Sequence, residues 1–142
     1  MAAEVLSASK VLLEGDGSGE TLVLQEPLSF WGGIDPKSGR IVDEHHPQRG
    51  ECIAGRVLVM PGTRGSTSSP GALADAIQLG NGPAAVILPE ANVTILVAAT
   101  IARELYGTEL PVLVVDQEDY VHLRDGQHLA ITGGSVQAAD GD

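Results

Sequence analysis

The residue types best suited to chemistry in this chain are concentrated in one short segment of arginine, glycine and hydroxyl side chains. The segment consists of Arg64, Gly65, Ser66, Thr67, Ser68 and Ser69. A loop of small residues at the start of a helix lets an anion approach unpaired backbone N–H groups, and the planar guanidinium of Arg64 can bind a carboxylate or a phosphate. The segment therefore predicts an anion site.

A serine in such a loop can be a reactant as well as a hydrogen-bond partner. A nearby cation and the positive end of a helix dipole stabilise an alkoxide, which makes Ser66 a candidate for proton transfer. The alternative is a structural turn in which Ser69 caps a helix and Pro70 takes its first position. The sequence leaves both interpretations open, a reactive Ser66 and a structural turn. A serine without a local histidine or lysine is a poor base alone, so another chain is expected to complete a catalytic site.

Strands and helices alternate from residue 56 onward, and these elements must position the segment. Continuous apolar runs are typical of buried strands, and amphipathic runs ended by glycine are typical of helices. The sequence predicts strands at 56–60, 84–88 and 111–115 and helices at 70–79 and 92–106. Asn92 is the predicted cap at the start of the second helix, and Gly107 is predicted to end it. Helical crossovers favour parallel pairing, which brings the loops after the three strands to one edge of the sheet. Ligands of open α/β sheets bind at that edge.

The first third of the chain is expected to be rich in β-structure. Apolar runs at 10–13 and 20–24 flank a glycine-rich stretch at 15–19. A dinucleotide-binding loop would lead into a helix, whereas this stretch leads into a second β-like run. The sequence therefore predicts a β-hairpin here. A short helix near 118–124 and a last strand at 127–132 are expected beyond the alternating region.

The composition suits a single domain, expected at residues 1–136, with a mobile acidic tail at 137–142. The 142 residues are 43% hydrophobic, and 19 acidic against 8 basic residues give a net charge of -11. This charge repels phosphate backbones and anionic lipid surfaces. No apolar run is long enough to span a bilayer, and no signal peptide is recognisable. A cytoplasmic protein without a nucleic-acid or membrane partner is expected.

Few residues could hold a metal ion. His45 and His46 are adjacent, and Cys52 is the single cysteine. Adjacent histidines on an extended segment point to opposite sides, so they do not converge on one metal ion. One cysteine can form no internal disulfide and cannot hold an iron–sulfur cluster alone. A polar loop is the expected structure, and no metal is assigned to this chain.

Phe30 and Trp31 lie side by side in a glycine-rich loop. Aromatic side chains dominate the energetics of protein interfaces, so we expect these two residues to anchor the domain on a partner chain. A local contact within the core is the alternative.

Several motifs together resemble the aconitase X swivel domain. They are LSFWGGIDP at 28–36, GRIVD at 39–43, HP at 46–47, GRVLV at 55–59, RGSTSS at 64–69 and PAAVIL at 83–88. The resemblance covers the chain from about residue 15 to residue 115. It implies an α/β fold similar to the swivel domain of aconitase, a swivelling β/β/α domain with a β-rich N-terminal part and parallel strand-helix-strand units.

The resemblance also implies a function. Members of this family are subunits or parts of hydro-lyases that dehydrate cis-3-hydroxy-L-proline or 5-phosphomevalonate. The resemblance implies that Ser66 is the base and that the neighbouring residues 64–69 bind an anionic substrate. It also implies a heterodimer of this chain with a large catalytic subunit, which holds an iron–sulfur cluster. The phosphomevalonate enzymes tend to have Val-Gly-Ser after Gly-Ser-Thr. The sequence Ser68-Ser69-Pro70 here favours cis-3-hydroxy-L-proline as the substrate, which would be converted to Δ1-pyrroline-2-carboxylate. The alternative outside the enzymes is a non-catalytic module that binds an anion.

Overall fold

The computed structural model describes residues 3–30, 32–63 and 69–138. Within these ranges the chain forms ten strands and three helices. The strands are β1 Ala3–Ser7, β2 Lys10–Leu13, β3 Asp16–Val23, β4 Ile34–Asp35, β5 Arg40–Ile41, β6 Val57–Val59, β7 Ala85–Leu88, β8 Val112–Val114, β9 His128–Thr132 and β10 Ser135–Ala138. The helices are α1 Ser69–Gln78, α2 Val93–Tyr106 and α3 Gln117–Tyr120.

Eight strands form one mixed sheet in the order β1-β10-β9-β3-β6-β7-β8-β2, while β4 and β5 form a separate pair. β3, β6, β7 and β8 are parallel to one another. Every residue of β6, β7 and β8 is buried, as expected for strands covered on both faces. The three central strands and their parallel order are confirmed.

The two faces of the central strands bury different clusters. Leu58 belongs to the cluster that includes the apolar side chains of α1 and α2. Its neighbours Val57 and Val59 belong to the opposite cluster, because successive residues of a strand point to opposite faces. That second cluster includes Leu129 of β9 and Val136 of β10, so the antiparallel part of the sheet covers its central part. The result is a β layer, a second β layer and a helical layer, which confirms the predicted fold class.

The ends of α2 follow from local chemistry. Asn92 has extended backbone angles, and its side chain accepts a hydrogen bond from the backbone N–H of Ile95 at 3.0 Å. Gly107 ends the helix with a positive φ of 65°, a conformation that glycine adopts without strain. Both caps of this helix were predicted from the sequence and are confirmed.

The predicted hairpin at the glycine-rich stretch is wrong. β2 pairs with β8, whereas β3 lies between β9 and β6 in the sheet. The glycines serve close packing instead of a turn. A Cβ atom on Gly17 would overlap the carbonyl oxygen of Ala84, and one on Gly19 would overlap that of Gly55.

The last strand extends beyond the predicted domain boundary. Gln137 and Ala138, assigned from the sequence to a mobile tail, pair with both β1 and β9. Residues 139–142 lie outside the described residues. No helix in the described part of the chain is long and apolar enough to cross a membrane.

Candidate functional site

Loops that follow the central strands start side by side at one edge of the sheet. Met60, directly after β6, donates its N–H to the carbonyl of Ile87 at 3.1 Å. Val115, directly after β8, donates to the carbonyl of Leu88 at 2.9 Å. This is the edge at which the sequence places the anion-binding loop.

Thr63 ties the loop after β6 to the start of α2. The side-chain amide of Asn92 donates to Thr63 Oγ1 at 3.1 Å, and this contact is partly buried. The same Asn92 accepts the capping hydrogen bond from Ile95. Thr63 is the last residue described before residues 64–68, so the bond fixes the point from which the predicted anion loop departs.

The segment at residues 28–30 runs beside Thr63. Leu28 forms a parallel bridge with Thr63 and donates its N–H to the carbonyl of Gly62 at 3.3 Å. The Leu28 side chain is fully buried, which anchors the segment that continues to Phe30.

An open cleft of about 430 Å³ lies between this segment and the first two turns of α1. The residues that line it are Phe30, Gly32, Ile34, Pro36, Gly71, Ala72 and Asp75. The side chains of Phe30 and Ile34 are buried behind the surface of the cleft. Asp75 is exposed and is the one charged residue among them. The cleft thus borders α1, the helix that begins at Ser69, the last residue of the segment in which the sequence predicts chemistry.

Most of the predicted site residues are not described by the structure. Arg64, Gly65, Ser66, Thr67 and Ser68 lie outside the described residues, as does Trp31. Ser69 is the first residue of α1. The assignments to the base and to anion binding therefore stay predictions.

Phe30 is fully buried within the core of this chain. Its ring packs in the cluster beneath α1 and α2, which agrees with the alternative of a local core contact. A side chain with no exposed surface has nothing to offer a partner in this conformation, so an anchoring role in this loop would fall to Trp31 alone.

The histidine-rich loop is held by backbone partners. His46 is buried, its Nδ1 accepts from the N–H of Gln48 at 3.1 Å, and its Nε2 lies 3.2 Å from the carbonyl oxygen of Glu26. With Nδ1 as acceptor, the proton lies on Nε2 and is donated to that carbonyl. Cys52 is partly buried with its Sγ 3.3 Å from the carbonyl oxygen of Ser38. These contacts give His46 and Cys52 structural roles in the loop.

Arg56 lies at the opposite end of β6, directly before its first residue. Its guanidinium contacts the carboxylates of Glu20 at 3.1 Å and Glu51 at 3.2 Å, and it donates to the carbonyl of Thr21 at 2.6 Å. These partners hold together the strand starts rather than the loop edge, so Arg56 does not contribute to the candidate site.

Two features of the site were not found from the sequence. Asn92 was predicted as a cap, but its second bond to Thr63 requires the parallel order of β6 and β7. Asp75 was not singled out, although its spacing of three and four residues from Ala72 and Gly71 places all three on one face of α1.

A mixed sheet with α1 and α2 on one face, a second β layer on the other and a loop cluster at its carboxyl edge defines a swivelling β/β/α domain. The sequence matches the family model of the aconitase X swivel domain over residues 6–138. The chain belongs to this family.

Curated relatives fall into two groups. The cis-3-hydroxy-L-proline dehydratase of Pseudomonas aeruginosa is 41% identical over 107 residues, which are 75% of this chain and 18% of that protein. The phosphomevalonate dehydratase small subunit of Methanothermobacter thermautotrophicus is 41% identical over 93 residues, 66% of this chain and 71% of that subunit. The chain spans about a fifth of the length of the hydroxyproline dehydratases it matches. Equal identities do not separate the two groups.

The fold is similar to that of a solved aconitase X. The holo-form structure from Thermococcus kodakaraensis superimposes with a TM-score of 0.81 at 29% identity, covering 94% of this chain and 98% of the matched chain. The predicted family and the predicted swivel fold are thereby confirmed.

Proposed function

We propose that this chain is the swivel part of an aconitase X-type hydro-lyase and supplies the base for dehydration of a small hydroxy acid. The observation that carries the proposal is the bond between Asn92 and Thr63. It ties the segment leading into Arg64, Gly65 and Ser66 to the carboxyl edge of the parallel strands, where ligands of such sheets bind. Family membership and the names of the curated relatives support the reaction class.

In the proposed reaction Ser66 removes the proton α to the substrate carboxylate. The electron pair of that C–H bond forms a carbon–carbon double bond, while the bond to the neighbouring hydroxyl breaks. The departing hydroxide and the proton taken up by Ser66 together make up the water that is released. Arg64 and the backbone N–H groups at the start of α1 hold the carboxylate, which becomes more electron-rich along the path. With cis-3-hydroxy-L-proline the product is an enamine that tautomerises to Δ1-pyrroline-2-carboxylate.

The described residues of this chain do not fit the iron–sulfur cluster that the family implies. They contain no group of three or more histidine, cysteine or acidic side chains that could hold a metal, and Cys52 is the single cysteine of the chain. We therefore assign any cluster to a large partner subunit, in a heterodimer with this chain, and derive no step through it.

We propose cis-3-hydroxy-L-proline as the substrate, with 5-phosphomevalonate as the second candidate. The sequence Ser68-Ser69-Pro70 supports the first, because the phosphomevalonate family tends to have Val-Gly-Ser after Gly-Ser-Thr. The similarity to the phosphomevalonate dehydratase small subunit of Thermococcus gammatolerans supports the second, since the two sequences are 33% identical over 129 residues.

Reconstitution tests this proposal. The chain is purified alone and after coexpression with an aconitase X large subunit from the same organism, and both preparations are assayed with each substrate and for bound iron. We expect dehydration only by the complex, with iron in the complex and not in the isolated chain. The opposite outcome is an iron-containing complex that turns over neither substrate, together with binding of small carboxylates by the isolated chain. That outcome would favour the non-catalytic anion-binding module.

A further inference from the structure

The side of α2 that faces away from the core carries an apolar ridge. The ridge consists of four residues at intervals of four, namely Val93, Val97, Ile101 and Leu105. The exposed fractions of Val93, Val97 and Leu105 are 76%, 40% and 69%, and Ile101 is partly buried. Other residues of α2 are buried in the core, namely Ile95, Ala98, Ala99 and Ala102. The helix is therefore apolar on both sides.

The polar residues beside this α2 ridge are few. Thr100 donates its hydroxyl to the carbonyl of Leu96 at 2.7 Å, so the helix itself satisfies that group. Glu104 is exposed and follows Val97 by seven residues, which places it on the same side. A surface helix usually presents charged side chains to water, whereas a helix that is apolar all round is covered by other structure. The α2 ridge therefore indicates a surface that a partner covers.

The position of the α2 ridge favours a large subunit as this partner. Its first residue, Val93, directly follows Asn92, which binds Thr63 at the carboxyl edge of the parallel strands. A body that covers the ridge therefore reaches the edge at which ligands of such sheets bind. A large subunit has to reach this edge to complete the proposed site, and in this respect the inference rests on the proposed function.

The size of the α2 ridge argues against a second copy of this chain. The 14 residues of α2 make a helix about 21 Å long and about 10 Å wide, so its outer side offers roughly 200 Å². Two such sides in a symmetric dimer bury roughly 400 Å², whereas a stable interface buries about 1,200–2,000 Å² in total. The partner must therefore contact further surfaces of this chain, as a larger subunit can.

We propose that the α2 ridge docks into an apolar groove of the large subunit, with a basic residue of that subunit opposite Glu104. A ridge formed by every fourth residue of a helix fits the groove between two rows of side chains on a partner. The carboxylate of Glu104 and the net charge of -11 favour a partner surface with positive charge at its rim.

The experiment measures the Kd of the reconstituted complex for three matched variants. Val97→Asn and Leu105→Asn each place an amide on the α2 ridge, and Val121→Asn makes the same change at a valine that is 62% exposed directly after α3. We expect each ridge variant to raise the Kd about tenfold or more, because apolar contact with the partner is lost. Val121→Asn should leave the Kd unchanged, and all three variants should keep a near-normal melting temperature.

Two further measurements separate docking from folding and catalysis. Turnover of the ridge variants should return to the wild-type value when the large subunit is in excess, because the ridge carries no reacting group. Glu104→Lys should raise the Kd more than Glu104→Gln does, and the difference should shrink at high salt, which screens charges at the rim of an interface.

An unchanged Kd in both ridge variants would overturn the docking surface, and equal Kd values of the two Glu104 variants would overturn the basic residue opposite it. An isolated chain that dimerises in sedimentation equilibrium, and that Leu105→Asn makes monomeric, would also overturn the proposal, because the ridge would then bind a second copy. A wild-type complex that forms but dehydrates neither substrate contradicts the proposed function alone, since the Kd values do not depend on turnover.

Discussion

A hydrogen bond between Asn92 and Thr63 joins two loops of the site, and the side chain of Asn92 has two functions. The Asn92 amide nitrogen donates to Thr63 Oγ1 at 3.1 Å, while its amide oxygen accepts from the Ile95 N–H at 3.0 Å. The second bond caps α2, and the first holds the segment that leads into Arg64. The stability of a helix and the position of a loop therefore depend on the same residue.

The two functions can be separated by changing Thr63. Thr63→Val keeps the shape of the side chain and removes its hydroxyl, but leaves the cap of α2 intact. We expect little change in the melting temperature and a loss of kcat of about tenfold or more in the reconstituted complex, because small displacements of catalytic groups are costly. Thr63→Ser should restore activity. Wild-type kcat in Thr63→Val would show that the bond does not position the loop.

Asn92→Ala should combine both effects. It removes the cap as well as the bond to Thr63, so the free energy of unfolding should fall by about 1 kcal/mol in addition to the loss of kcat. Urea denaturation of the isolated chain measures the first effect. A stability equal to that of Thr63→Val would contradict the capping role.

The sequence predicted those parts of the fold that depend on neighbouring residues. The caps of α2 follow from Asn92 and Gly107, and the central strands follow from their apolar runs. The partners of β3 could not be predicted, because β9 lies more than a hundred residues away and the glycines of β3 also resemble a turn. In the site, the loop edge followed from the parallel order, whereas the cleft at Asp75 depends on packing between α1 and the segment after Leu28.

Gly17 provides a test of the packing that replaced the predicted hairpin. Gly17→Ala would drive a methyl group into the carbonyl oxygen of Ala84, and we expect a loss of about 1–3 kcal/mol in the free energy of unfolding. Gly71→Ala is the matched control, since its Cβ meets no atom within 4 Å and alanine favours a helix by about 0.5–1 kcal/mol. Equal stabilities of the two variants would contradict this packing.

Tyr120 should make stability depend on pH in the alkaline range. Burial disfavours the phenolate and raises the pKa of Tyr120 from 10.0 to about 12. The unfolded chain therefore loses this proton first as the pH rises. The stability contributed by Tyr120 is fully present below pH 10.0 and is lost as the pH rises through about 12. Urea titrations should show this decline, and Tyr120→Phe should reduce it. An identical decline in Tyr120→Phe would assign it to other groups.

Trp31 should contribute to association with the large subunit, given the burial of Phe30 in the chain's own core. Trp31→Ala is expected to raise the Kd of the complex about tenfold or more while changing the melting temperature of the isolated chain only slightly. Phe30→Ala should do the reverse, because truncation of a fully buried ring costs about 3–5 kcal/mol of stability. Loss of the fold in Trp31→Ala with an unchanged Kd would place Trp31 in the core as well.

The most direct test of the central claim is kcat of the reconstituted complex carrying Ser66→Ala. If Ser66 removes the α-proton, turnover should fall about 10²–10⁴-fold, while complex formation and substrate binding stay near wild type, because the lost interaction exists only along the reaction path. Thr67→Ala and Ser68→Ala remove neighbouring hydroxyls and should keep most of the activity. Near-normal turnover of Ser66→Ala, together with loss of turnover in either control, would contradict the assignment of Ser66 as the base.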